Sequence, residues 1–120
     1  MRIRTAFAVL ALVAVGACSS TAARASVPPG SPVVVADQLA FAASEVAVPA
    51  GRSFVLAFDN REGQPHNVTI LDPSGRALFT GEVFSGPTIR AYDVPALPAG
   101  RLSFRCDVHP TMTGTLAAGT

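Results

Sequence analysis

Three side chains carrying three different soft donor atoms stand three residues apart near the end of the sequence. They are Cys106, His109 and Met112, in the stretch FRCDVHPTMTG. A thiolate, an imidazole and a thioether are the softer ligands a protein offers, and softness selects among metals. The chain has one further histidine, His66, which opens the run His66-Asn67-Val68-Thr69-Ile70-Leu71. The other cysteine and methionine, Cys18 and Met1, both belong to the N-terminal leader. Every histidine, and every cysteine and methionine past the leader, is therefore available to one site. Two imidazoles, a thiolate and a weak thioether make the donor set of a blue-copper centre, a trigonal His₂Cys plane with a long axial Met. The expected ligands are His66, Cys106, His109 and Met112, around one type 1 copper ion.

Each residue taken alone has a plainer explanation. A single histidine is more often a surface or satisfied side chain, a single methionine more often core filler, and a single cysteine a small buried hydrophobe. Their joint occurrence at one tight spacing shifts the balance. Zinc fits less well because it favours thiolates, imidazoles and carboxylates and gains little from a thioether. A Cys–His nucleophile pair would leave Met112 unexplained and lacks an evident oxyanion apparatus. No catalytic residue is expected.

The elements that must position these donors read as strands. Val33 to Val35 is β-branched, Glu45 to Val48 alternates before Pro49-Ala50-Gly51, and Ser53 to Phe58 ends at Asp59-Asn60. His66 to Leu71 alternates and closes at Asp72-Pro73-Ser74-Gly75. Ala77 to Phe79, Thr88 to Val94, Arg101 to Arg105 and Thr113 to Leu116 follow, with Pro98-Ala99-Gly100 as a turn. Short strands at this spacing, punctuated by Gly and Pro, predict an all-β sandwich or barrel. Phe41, Phe54, Phe58, Phe79, Phe104 and Tyr92 are expected in its core.

The 120 residues suit one domain, with a hydrophobic share of 49%. Net charge is +1 and charged residues are 14% of the chain, which gives no basis for nucleic-acid binding. The leader MRIRTAFAVLALVAVGACSS has a positive start and an apolar run too short to span a bilayer, as a secretory signal does. Val15-Gly16-Ala17-Cys18 resembles the lipobox of bacterial lipoproteins, which implies a signal peptide over 1–17 and lipidation of Cys18. Cleavage after Ala23-Arg24-Ala25 is the competing reading. Residues 18–32 are small, polar and proline-rich, the composition of a flexible tether, and 33–120 form the copper-binding domain. The chain is thus expected to be exported, to the periplasmic or extracellular face of a bacterial membrane, and held there by lipid. In such a compartment Cys106 would be a lone thiol, which a metal would protect from oxidation.

From about Phe41 to the end the chain resembles the cupredoxins, the family of plastocyanin, azurin and amicyanin. The resemblance lies in Val48-Pro49-Ala50-Gly51, the strand ending at Asp59-Asn60, and His66-Asn67-Val68. It continues in Leu97-Pro98-Ala99-Gly100 and in Phe104-x-Cys106-x-x-His109-Pro110-x-Met112-x-Gly114. The short Cys-x-x-His-x-x-Met loop is most similar to that of amicyanin. The resemblance implies a Greek-key β-sandwich with copper near one end, and the same four ligands. It also implies that Asn67 ties the His66 strand to the Cys106 loop. Asp107 stands where a hydroxyl residue is common, which leaves the polarity of the hydrogen bond there open. Four protein ligands point to one-electron transfer between redox proteins by a monomeric carrier, not an enzyme. Copper delivery or buffering is the alternative, and a metal-free adhesion-like sandwich is a third.

Overall fold

The computed structural model describes residues 26–119, so the leader, Cys18 and the first part of the tether lie outside the described residues. Eleven strands run in order: β1 (Val33–Asp37), β2 (Ala40–Phe41), β3 (Glu45–Pro49), β4 (Phe54–Asn60), β5 (Pro65–His66) and β6 (Thr69–Leu71). They continue with β7 (Ala77–Thr80), β8 (Phe84–Ser85), β9 (Thr88–Val94), β10 (Gly100–Arg105) and β11 (Thr113–Gly119). The described residues contain no helix, and so none long and apolar enough to cross a membrane. One sheet has the order β2-β1-β4-β9, the other β3-β11-β10-β6-β7, and β5 pairs with β8 in a small third sheet. The pairs β1–β4 and β3–β11 are parallel, so neither pair can be joined by a hairpin and the chain between must cross over.

Strand periodicity explains which side chains meet. In β10 Leu102 and Phe104 are buried while Arg101, Ser103 and Arg105 are exposed. Carrying that period one step past the strand places Cys106 on the inner face, fully buried. In β4 the same parity turns Leu56, Phe58 and Asn60 inward. Between the layers Val34, Leu56 and Phe58 face Ile70, Phe104 and Leu116 in one apolar cluster. Each such buried aliphatic or aromatic side chain contributes roughly 1.5–3 kcal/mol. Opposite Phe104 stands Gly114, where a Cβ would come within 2.3 Å of the ring. Glycine lets that ring lie flat across β11 and reach Phe41, 4.8 Å away between centroids.

Several expectations need adjustment. The run His66–Leu71 is not one alternating strand: it is broken into β5 and β6, and every residue from His66 to Leu71 is buried. Its polar positions, Asn67 and Thr69, are turned to hydrogen-bond partners instead of solvent. Of the aromatic residues expected in the core, Phe58, Phe104 and Tyr92 are buried, whereas Phe41, Phe54 and Phe79 pack against its margin. Phe84 is a core residue that the strand pattern did not mark. The fold also takes hold of the chain before Val33, because the Ser31 N–H donates to the Pro28 carbonyl and the Ala57 N–H to that of Pro32.

Candidate metal centre

The centre lies where β4 and β10 end. After β10 the chain folds back on itself: the Met112 N–H donates to the His109 carbonyl at 2.9 Å, and the Cys106 N–H donates to the Met112 carbonyl at 3.1 Å. This pair of bonds closes the Cys106–Met112 loop and brings its ends together, with Met112 buried in the core cluster. From the other layer, the loop after β4 is braced by Asn60, fully buried. The Asn60 side-chain amide donates to the Gln64 and Phe84 carbonyls at 2.8 and 3.0 Å and accepts from the Glu62 N–H. That bracing carries the chain through Pro65 to His66, which pairs with Phe84 across β5 and β8.

His66, Cys106 and His109 thereby converge. Cys106 Sγ is 3.8 Å from His66 Nδ1 and 3.9 Å from His109 Nδ1, and the two nitrogens are 3.2 Å apart. The circle through these three atoms has a radius of about 2.1 Å, and metal–nitrogen and metal–sulfur bonds are about 2.0–2.3 Å, so one ion fits at its centre. The far nitrogen of His66, Nε2, lies 2.7 Å from Glu62 Oε1. The Glu62 carboxyl is held below its ordinary pKa first by the Leu39 N–H and, against its burial, by His66. As a carboxylate it only accepts, so the proton sits on Nε2 and the Nδ1 lone pair is free to bind metal. Cys106 and His66 are fully buried, whereas His109 is partly open to solvent. Cys106 has no disulfide partner among the described residues.

Asn67 and Asp107 stand opposite one another on the β6–β10 register, just beyond the last backbone pair, Thr69 with Arg105. There a side chain continues the ladder: Asn67 Oδ1 accepts from the Asp107 N–H at 2.8 Å, and Asn67 Nδ2 donates to Asp107 Oδ2 at 2.9 Å. The question left open by the sequence is answered by a carboxylate acceptor. Thr69 Oγ1 also donates to Asp107 Oδ2, at 2.6 Å, and Arg105 Nε to Oδ1, at 3.2 Å. Burial pushes the Asp107 carboxyl up, but the bonds from Thr69, Asn67 and Arg105 outweigh it and hold the group below its ordinary value.

A comparison of the whole sequence with protein families decides the lineage. The family model of the cupredoxin-like domain matches residues 7–118. The chain belongs to the cupredoxin-like family. The chain is 28% identical to amicyanin of Paracoccus denitrificans over 125 aligned positions, covering 94% of this chain and 92% of that protein. The crystal structure of amicyanin from Paracoccus versutus superposes with a TM-score of 0.61 at 28% identity, covering 78% of this chain and 85% of that one. Dithionite-reduced auracyanin from Roseiflexus castenholzii gives a TM-score of 0.62 at 17% identity, over 73% and 95% of the two chains, which speaks to the fold. The architecture is therefore the cupredoxin sandwich, and the cofactor of the centre is type 1 copper.

Of the residues expected in this cupredoxin site, His66, Cys106 and His109 are brought together, Met112 closes their loop, and Asn67 and Asp107 are bonded to each other beside it. Sequence reasoning missed Glu62, Thr69 and Asn60. For Glu62 a signal was present, since metal-binding histidines commonly donate their other N–H to a carboxylate and Glu62 is four residues before His66.

Proposed function

We propose that the protein is an exported one-electron carrier, not an enzyme, in which His66 Nδ1, Cys106 Sγ, His109 Nδ1 and the Met112 thioether hold one type 1 copper. When bound, the copper supplies one-electron chemistry between Cu(II) and Cu(I). The observation that carries the reading is the convergence of three lone-pair donors on one point, with two of them fully buried and His109 alone partly open. Four protein donors leave no position for a substrate or an attacking water. The ties from Glu62, Asn67 and the Met112 backbone keep the donors in place, so little reorganisation accompanies the change of charge. The His109 ring edge is the route by which electrons reach a redox protein. Family membership supports this, and a mutant of amicyanin has been solved in a Cu(I) form.

In the same reading, residues 1–17 are a signal peptide, Cys18 carries the lipid, residues 18–32 are the tether and 33–120 the copper domain. The domain then works as a monomer at the periplasmic or extracellular face of the membrane, with redox proteins as partners. Voltammetry of the copper-loaded protein tests the central part. One reversible electron per chain is expected, with the copper retained in both states. Loss of copper on reduction, or rapid surrender to a chelator, would point to delivery instead.

A further inference from the structure

The turn joining β1 to β2 has two central residues, Gln38 and Leu39, with φ of 53° and 56°. Two-residue hairpin turns of this kind favour Asn-Gly and similar pairs, because a Cβ crowds the backbone at positive φ. The Leu39 side chain is 53% exposed, so burial does not explain why the turn holds. A bond from outside does: the Leu39 N–H donates to Glu62 Oε1 at 2.9 Å. The same oxygen accepts from His66 Nε2 at 2.7 Å. Glu62 is itself fixed at the backbone, where its carbonyl accepts from the Gly86 N–H at 3.0 Å. A Cβ on Gly86 would come within 2.8 Å of that oxygen and 2.2 Å of the Asn60 carbonyl, so the loop has no slack.

We infer that the Gln38–Leu39 turn is a remote positioning element for the copper ligand His66, acting through the single oxygen Oε1 of Glu62. The inference rests on the reading of the centre as type 1 copper. Glu62 is a positioning residue: it fixes the imidazole's tautomer and orientation from the side away from the metal. Its negative charge also favours Cu(II) over Cu(I) and so lowers the reduction potential. Leu39 fixes the direction in which the carboxylate faces. Because coupling between two sites is reciprocal, filling the copper site also steadies the turn.

Hydrogen exchange at the Leu39 amide tests the link, first in copper-free protein. An amide at an exposed hairpin tip exchanges freely unless it is bonded. Wild type is expected to show protection, and Glu62→Ala to accelerate exchange about tenfold or more as a charge-assisted bond is lost. Equal rates in the two would overturn the link whether or not copper binds. On copper loading, exchange should slow in wild type but not in Glu62→Ala; no slowing in wild type would refute the coupling. Glu62→Gln, which keeps an acceptor and removes the charge, should raise the reduction potential. If it lowers the unfolding temperature and leaves the potential unmoved, the carboxylate is structural only and the inference fails. Failure of the wild type to form a type 1 centre would contradict the copper reading, and the copper-free exchange result would still decide the tie between turn and carboxylate.

Discussion

Asn67 joins two segments far apart in sequence with one side-chain amide. It bonds to Asp107 through both its atoms and donates also to the Gly81 carbonyl at 3.1 Å, all while 1% exposed. Asn67→Ala would leave the buried Gly81 carbonyl and the Asp107 N–H short of partners, at a cost of about 1–3 kcal/mol. Urea denaturation of the copper-free protein measures this, and a loss below about 0.5 kcal/mol would mean that water replaces the amide. Asp107 gives a pH test. Its folded pKa is lowered, so its contribution is complete above the unfolded value of about 3.9 and is lost as pH falls through the folded value. The urea midpoint of wild type should therefore fall on acidification in that range. Asp107→Asn should show a shallower fall; an identical slope would remove Asp107 from the account. At this scale the sequence is uneven as a guide. Cys106, His109 and Met112 are legible from spacing alone, whereas His66 is reached through its place as the chain's other imidazole. Glu62 is legible only in part: it stands four residues before His66, but its ties to Leu39 and Gly86, both remote in sequence, leave no signal.

Strand β10 was readable because one face meets the core and the other solvent, so chemical alternation and burial coincide from Arg101 to Phe104. The run from His66 to Leu71 misled for the opposite reason. Asn67 and Thr69 are polar yet buried, so alternation of residue type there reports hydrogen-bond partners and not exposure. Strands β2, β5 and β8 have two residues each and leave no periodic signal. The turn at Gln38–Leu39 was hidden because it lacks the Asn or Gly that such turns favour. Gly114, read only as part of a motif, has a packing reason that becomes visible once β10 and β11 are paired. Gly114→Ala should force the Phe104 ring to move and destabilise the copper-free protein by about 1–3 kcal/mol, as overpacking does. Thermal unfolding checks it. An unchanged midpoint would mean that the ring has room to shift.

At the scale of the whole molecule, ion pairs among the described residues play a minor part. Among the described residues five arginines form surface pairs, Arg61 with Asp59, Arg76 with Asp72, Arg90 with Glu82, Arg101 with Glu45 and Arg105 with Asp107. Exposed pairs of this kind each add little to stability. Attachment of the domain is tested separately: Cys18→Ala should move the protein from the membrane to the soluble fraction, and equal solubility of the two would favour cleavage after Ala25. The central claim is that Cys106 and the two histidines form a type 1 copper centre, and the visible spectrum of the copper-loaded protein addresses it most directly. The account predicts an intense blue colour from thiolate-to-Cu(II) charge transfer, at one copper per chain, which Cys106→Ser abolishes. A colourless Cu(II) complex, or colour that survives Cys106→Ser, would contradict it.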